Sequence, residues 1–531
     1  MFSALKTDLA VPFKRLEDWA LSGPLTAALG ALLLAMLACW VPHYLTWPWW
    51  IDLDHFATLA LSWDRGQRLP YRDLPSIQFP GEFYVFWALG KVFGWGRTVP
   101  LYACDAAALL LFGGAIAATS RRRCGRMLPG LVGVLAFSWY YLNLGFDQVA
   151  QRDWHAPLLF VLALLMAGAG PSRTGRAASA AAAAMALAIR PHTILFLPAM
   201  AIALDEGARA PGESWTRTLR ATLEWGVTLA AGLTLAFAPL YFGGLWESFL
   251  DGLRHVAPGR GYSQLTPLRF RDRLLTQLGD QPWLWTTPLA SVCLAAVFVP
   301  RHRRFVLVWV LALAGAYFYK PLSPVPHHYL SHAVNLFWSV DLFVVAMLLL
   351  EVRGRIAPLR LIAIGLLVYW GCPSWPRFAD PIRSLKAIPW LVKGEMPVDP
   401  PASGTWNDVG WKEYRALIAH LKRTTAAETP VANVLGSLPA INGVVGRPTP
   451  MPAECLSWFI YWNTPEMRAE YARSLAEAPP TTVVVWIPSE RGGLLTEAVA
   501  VAIEQGYAFE AKFGNVQVWR KTPDLPRAET P

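Results

Sequence analysis

The chain has 531 residues, of which 54% are hydrophobic and only 16% charged, with a formal net charge of +10. Soluble globular proteins run near ~25% charged residues, so this composition excludes a disordered chain and does not fit a soluble multidomain enzyme. It fits a polytopic membrane protein carrying some soluble mass. The six cysteines include no CxxC pair, which argues against a disulfide framework or a zinc knuckle.

A spanning helix needs about 20 largely apolar residues. Apolar runs lie near 25–45, 98–119, 127–145, 156–170, 177–190, 193–205, 222–243, 285–300, 305–319, 331–350 and 356–372. The first follows a polar stretch, 1–24, without a convincing cleavage site, and reads as a retained span. The loops RRRCGR (121–126), PSRTGR (171–176) and RHRR (301–304) contain no acidic residue. By the positive-inside rule they face the cytoplasm, together with the N-terminus, so the net charge is largely a topology signal and not a nucleic-acid footprint. The expected fold is a polytopic α-helical membrane protein of about 11 spans over 25–372, with a C-terminal extracytoplasmic α/β domain over 373–531.

In chain order, the first outward loop (46–97) opens WPWWIDLDHF. Trp47, Trp49 and Trp50 read as an interfacial aromatic belt. Asp52 and Asp54 open a helix that lies against the membrane. Burial beside aromatic rings would make either a better proton acceptor, whereas the bland role for both is a helix cap. The stretch PGEFYVFWALGKVFGWG (80–96) carries Glu82 and Lys91 and would invert the later loops if it crossed, so it reads as an interfacial helix.

Next, FDQVAQRDWHAP (146–157) packs Arg152, Asp153 and His155 at a span boundary, where ionisable groups are costly and point to function. In AIRPHTILFLP (188–198), Arg190 and His192 interrupt a long apolar stretch, and an arginine there suits a phosphate. Arg254, His255 and Arg260 follow in the second long outward loop (about 244–284). KPLSPVPHHYLSH (320–332) clusters Lys320, His327, His328, Tyr329 and His332 without a metal-ligand motif such as HExxH. About seven of the ten histidines fall outside or at the outer edge. Outward cations run against the positive-inside bias, which points to a bound anion, with a lipid phosphate the natural one. In the tail, 406–423 reads as an amphipathic helix, 430–435 and 481–488 as strands, 490–507 as containing a helix, and 509–521 as a terminal strand or hairpin.

These residues resemble the GT-C glycosyltransferases, in particular the branch that holds protein O-mannosyltransferases and the aminoarabinose transferase of lipid A. The likeness rests on Asp52, Phe56, Gly66, Pro70-Tyr71-Arg72-Asp73, then Pro80, Gly81 and Tyr84, with Asp153 as the second acidic residue and Arg190-Pro191 further on. Leu53 follows Asp52 where the family more often has an Asp-Glu pair, which leaves Asp52 and Asp54 both open as the first aspartate.

The resemblance implies inverting sugar transfer from a polyprenyl-phosphate donor to a protein, lipid or glycan acceptor on the outer face of a bacterial inner membrane. Asp52 or Asp54 would be the base, and Asp153 would orient the acceptor or stabilise charge. Arg152, Arg190, His192, Lys320 and His328 would hold the donor phosphate, and Tyr71, Arg72, Asp73, His155 and Tyr329 would position substrate. A divalent metal is admitted by the family but not demanded by the sequence. The competing expectation is a glycolipid transporter or flippase, or a polysaccharide-assembly component without transfer activity.

Overall fold

The computed structural model describes residues 23–522 apart from 67, 75, 209–214, 257–265, 281–282, 323–327, 353–356, 394–409, 436–439, 453–464 and 489–496. Each apolar run named from the sequence is helical. The first part of the chain forms α1 (Pro24–Tyr44), α2 (Ile51–Arg65), α3 (Pro80–Phe93), α4 (Val99–Cys124) and α5 (Leu128–Tyr141). Then come α6 (Arg152–Ala167), α7 (Arg173–Ile189), a 3-10 turn at Pro191–Phe196, α8 (Leu197–Ala208) and α9 (Trp215–Phe242). A short α10 (Trp246–Asp251) and α11 (Pro267–Asp280) precede α12 (Trp283–Val297), α13 (Arg303–Tyr319), α14 (His332–Glu351) and α15 (Ala357–Gly371).

By length and composition α1, α4, α9 and α14 are long and apolar enough to cross a membrane, with α5 and parts of α12 and α15 among the shorter apolar helices. At 1.5 Å per residue the 14 residues of α3 reach only about 21 Å, short of the ~30 Å hydrocarbon core. The proline and glycine that open α3 explain where it lies. A Cβ on Gly81 would stand 2.7 Å from the backbone of Ala188 and Ile189, so the start of α3 butts directly against the end of α7.

Buried spans are tied together by one carboxylate. Asp105 of α4 is 1% exposed. The hydroxyls of Tyr44 and Tyr141 donate to its Oδ2 at 2.5 and 2.7 Å, and Trp154 Nε1 donates to Oδ1 at 2.7 Å. His155 Nε2 stands 2.7 Å from the same Oδ1. A charge in an apolar bundle is tolerated when it is surrounded by donors in this way. Asp105 therefore links α1, α4, α5 and the start of α6.

Beyond α15, the amphipathic α16 (Pro381–Lys393) packs on α1, with the Ser384 hydroxyl donating to the Cys39 carbonyl. The C-terminal segment contains α17 (Trp411–Thr424), β1 (Val431–Val434), α18 (Asn442–Val445), α19 (Pro465–Ala476), β2 (Val483–Trp486), α20 (Glu497–Gly506), β3 (Tyr507–Phe513) and β4 (Val516–Lys521). The sheet order is β1-β2-β4-β3, with β1 and β2 parallel and the other pairs antiparallel. Alternation of side chains across the strands covers both faces. Val431, Val483, Val485 and Val518 share a core with Tyr414, Leu417, Ile418 and Leu421 of α17. Val434, Val484 and Trp486 pack with Tyr471, Val499 and Ile503 of α19 and α20.

This unit is latched to the membrane part by Asp54. Its carboxylate caps α18, accepting hydrogen bonds from the N–H groups of Ile441 and Val444, each at 3.0 Å. Lys422 donates to the Gly96 carbonyl at 2.8 Å, and Gly446 (φ 68°) meets Gly96 so closely that a Cβ would stand 2.8 Å from its nitrogen. Hydrogen bonds to a buried charge contribute about 1.5–3 kcal/mol each. Asp54→Ala is therefore expected to loosen the C-terminal unit. Limited proteolysis of the C-terminal unit should be at least several-fold faster than in the parent protein, and an unchanged cleavage rate would refute the latch.

Candidate active site

Helix α2 starts where the extended backbone of Trp50 turns inward and ends at Gly66, whose φ of 64° is the left-handed stop. Acidic side chains in its first turn complement the positive end of the helix dipole. At 100° per residue Asp52 and Phe56 lie on one face, and Asp54 and Ala57 lie on the opposite one. The second face meets α18, where Gly443 stands against Ala57 and Asp54. The first carries Phe56, whose ring lies 5.1 Å beneath the Arg152 guanidinium and is close to Phe83 and Phe86 of α3. The two aspartates left open by the sequence thus point in opposite directions. Both oxygens of Asp54 accept backbone N–H bonds, whereas half-buried Asp52 has no such partner among the described residues.

The second acidic residue is at the start of α6. Asp153 is fully buried, with Arg190 Nε 2.9 Å from its Oδ1 and Arg152 Nε 3.7 Å from its Oδ2. Arg152 also donates to the Gln78 side-chain carbonyl. Pro191 explains why Arg190 reaches it. The residue before a proline is driven out of the helical region, and Arg190 accordingly has φ −143°, ψ 102°. Thr193 closes the turn, its hydroxyl donating to the Arg190 carbonyl at 2.9 Å. The Arg190 guanidinium sits 6.0 Å from the Tyr319 ring, and His192 packs 5.4 Å from the same ring. Lys320, next to Tyr319, donates to Ser331 at 3.4 Å. Arg152, Asp153, Arg190 and His192 therefore form one cluster. Two guanidiniums on one carboxylate leave a net positive charge in a nearly water-free place, which favours an anion.

Two strained residues hold the cluster's supporting loops. Tyr71 has φ 69° and Ala150 has φ 54°, a region that costs an ordinary residue roughly 1–2 kcal/mol. Each is bolted down. Buried Tyr71 donates its hydroxyl to the Gln78 carbonyl at 2.7 Å, and the N–H of Ala150 donates to the Tyr141 hydroxyl at 2.9 Å. Tyr71 thus places Gln78, which in turn meets Arg152. Arg72 is exposed and pairs with Asp73 at 2.9 Å, while Asp73 accepts from the Leu69 N–H. These two shape the PYRD turn, and among the described residues neither forms a hydrogen bond or ion pair with the cluster.

His155 is taken up by Asp105, its Nε2 2.7 Å from Oδ1. The side chains of His255, His328 and Tyr329, and all of Arg260 and His327, lie outside the described residues. Arg254 pairs with Asp251 at 3.6 Å on the surface. Among the described residues no group of three or more His, Cys, Asp or Glu side chains is arranged to hold a metal ion.

Three residues that sequence reasoning did not select belong to this region. Gln78 and Asp105 gave no local signal, since an amide in a loop and a lone aspartate in an apolar run are common. Glu82 did, as a carboxylate one residue after the Pro-Gly that opens α3. It is completely buried, and neither oxygen has a hydrogen-bond partner among the described residues. Burial pushes its carboxyl above the ordinary range, against the opposing charges of His155 and Arg152.

No known family profile matches the sequence, and no curated protein matches it. The fold does have a counterpart. The crystal structure of ArnT from Cupriavidus metallidurans bound to undecaprenyl phosphate superposes with a TM-score of 0.52 at 14% sequence identity, covering 95% of this chain and 99% of that one. That likeness extends over the membrane helices and the C-terminal unit together. In fold, the chain is similar to that transferase structure over nearly the whole length of both chains.

Proposed function

We propose that this protein is a membrane glycosyltransferase that moves a sugar from a polyprenyl-phosphate carrier to an acceptor hydroxyl on the outer face of a bacterial inner membrane. The fold neighbour was crystallised with such a carrier lipid, which supports this class of donor. In this reading about 11 helices span the bilayer, the N-terminus is cytoplasmic and the C-terminal unit is periplasmic.

The acceptor oxygen attacks the anomeric carbon as the carbon–oxygen bond to phosphate breaks. The acceptor's proton passes to Asp52, and polyprenyl phosphate leaves. A single displacement inverts the anomeric centre, and no general acid is required because the leaving group is already a phosphate. Arg152 and Arg190 neutralise its charge, with His192 packed on the Tyr319 ring beside Arg190; Lys320 and His328 are the further candidates that the sequence offers. Asp153 keeps the two guanidiniums aligned and adds negative charge near the electron-deficient sugar. Glu82, whose carboxyl burial pushes toward the protonated form, is suited to donate a hydrogen bond to the sugar.

The observation that carries this reading is the division of labour among the carboxylates. Asp54 is spent on backbone N–H groups and Asp153 on two arginines, while Asp52 has no partner among the described residues and shares a helix face with Phe56, whose ring meets Arg152.

The test is transfer of labelled sugar from synthetic polyprenyl-phosphate sugars in membranes containing the protein. Asp52→Asn is expected to lower turnover about 100-fold or more, with expression and donor binding retained. Full transfer by that variant would remove the base and leave a carrier or assembly role as the better account. Arg190→Ala should instead weaken donor binding at least tenfold. Because it strips one partner from a buried ion pair, at a cost of about 3–5 kcal/mol, Arg190→Lys is the companion variant. If both bind donor as the parent does, the arginine pair is not the phosphate site.

A further inference from the structure

Between the last apolar helix, α15, and the C-terminal unit runs the sequence ADPIRSLKAIPWLVK (379–393). It starts a helix by ordinary signals. Asp380 caps α16, its Oδ1 accepting from the N–H groups of Ile382 and Arg383 at 2.9 and 3.1 Å, and Pro381 takes the first position, where no N–H is needed. The turn before the helix is pinned. The Arg377 N–H donates to Asn143 Oδ1 at 2.8 Å, and the Phe378 ring meets Trp47 at 5.8 Å.

At 100° per residue α16 has three faces instead of two. Ser384 and Ala387, small and buried, share one side with half-buried Leu391. That side seats on α1, where the Ser384 hydroxyl bonds to the Cys39 carbonyl, and its small side chains let the two helices approach closely. Ile382, Leu385, Ile388 and Val392 make a second face, with Leu385 68% and Val392 83% exposed. Arg383, Lys386 and Lys393 lie on the third, together with Trp390, whose ring is 5.7 Å from the Lys393 ammonium. A helix that packs one side on a protein and turns the rest to water carries polar residues there. On α16 one of the two remaining faces is apolar.

Depth identifies what meets that face. Both α1 and α4 are long and apolar enough to cross a bilayer. The Tyr44 end of α1 and the Val99 end of α4 are on the same side, since Tyr44 packs 4.7 Å from Tyr102, and it is the side of the C-terminal unit, where Gly96 meets Gly446. Cys39 precedes Tyr44 by five residues, so Ser384 sits about 8 Å below that end of α1 at 1.5 Å per residue. The far end of α16, from Trp390 to Lys393, borders the same concavity as Ala103, Cys104 and Ala107 of α4. These stand about 6–12 Å below Val99. Both ends of α16 therefore lie at one depth, and it matches the roughly 5–10 Å at which an amphipathic helix rests in a leaflet. The neighbouring stripe of α1, Ala31, Leu34 and Ala38, is likewise exposed.

We infer that α16 is an interfacial anchor whose Ile382–Leu385–Ile388–Val392 face is covered by acyl chains of the leaflet nearest the C-terminal unit. Its basic face and Trp390 lie at the level of the headgroups. The anchor fixes the height at which the chain enters the C-terminal unit, on a support separate from the Asp54 latch. The inference rests on α1 and α4 crossing the bilayer and is independent of sugar transfer.

The experiment uses the full chain with its six cysteines replaced by serine, reconstituted into liposomes of phosphatidylethanolamine and phosphatidylglycerol. A nitroxide is attached at Leu385→Cys, Val392→Cys or Lys386→Cys. Power-saturation EPR then compares collisions with oxygen, which concentrates among acyl chains, and with a water-soluble nickel chelate. Oxygen accessibility should exceed nickel accessibility several-fold at 385 and 392, and the order should reverse at 386. Nickel reaching 385 and 392 as readily as oxygen would show a watery face and overturn the anchor. Exclusion of both reagents would show a face covered by protein, a second copy included, and would overturn it equally. The parent sequence supplies a check without substitutions. A phospholipid carrying a photoactivated diazirine in its acyl chain should label peptides from 381–393. Absence of label there, while the exposed side of α9 around Leu223 and Val227 is labelled, would also overturn the inference.

Discussion

A carboxylate taken out of water must find positive charge, and Asp153 finds it twice. Desolvating three ionised groups is expensive, and only tight geometry offsets the cost. That requirement explains much of the surrounding architecture. Pro191 breaks the helix so that Arg190 can swing toward Asp153, Gln78 steadies Arg152, and Phe56 and Tyr319 give the guanidiniums aromatic surfaces to lie on. The strain at Tyr71 and Ala150 belongs to the same account, since both residues anchor segments that feed the cluster.

Helix α2 couples this cluster to the rest of the molecule. Its two aspartates, two residues apart, are chemically alike and nearly opposite in direction. One side of the helix fastens the C-terminal unit through Asp54, and the other carries Asp52 on the same face as Phe56, whose ring meets Arg152. Movement of the C-terminal unit would therefore act directly on the helix that carries Asp52.

Asp105 plays a comparable part deeper in the bundle. It gathers donors from α1, α5 and α6, and so sets the height and rotation of the residues that begin α6. His155, which the sequence placed among substrate-positioning residues, is one of those donors. Its neighbour Asp153 is thereby fixed from below by the Asp105 network and from the side by the arginines.

Hydrophobic runs, basic loops and the strand–helix alternation of the tail are local properties, and they determined that this is a helical membrane protein with an added α/β unit. Short motifs also located Asp52, Asp54, Asp153 and Arg190, because a charge at the end of an apolar run is visible one residue at a time. What only the tertiary structure decided was orientation and partnership. Asp52 and Asp54 are indistinguishable until helix α2 is docked, Glu82 is an ordinary interfacial acid until α3 buries it, and Asp105 is an isolated charge until distant donors surround it. The reason is that burial and pairing depend on groups far apart in the chain, whose distances no local pattern encodes.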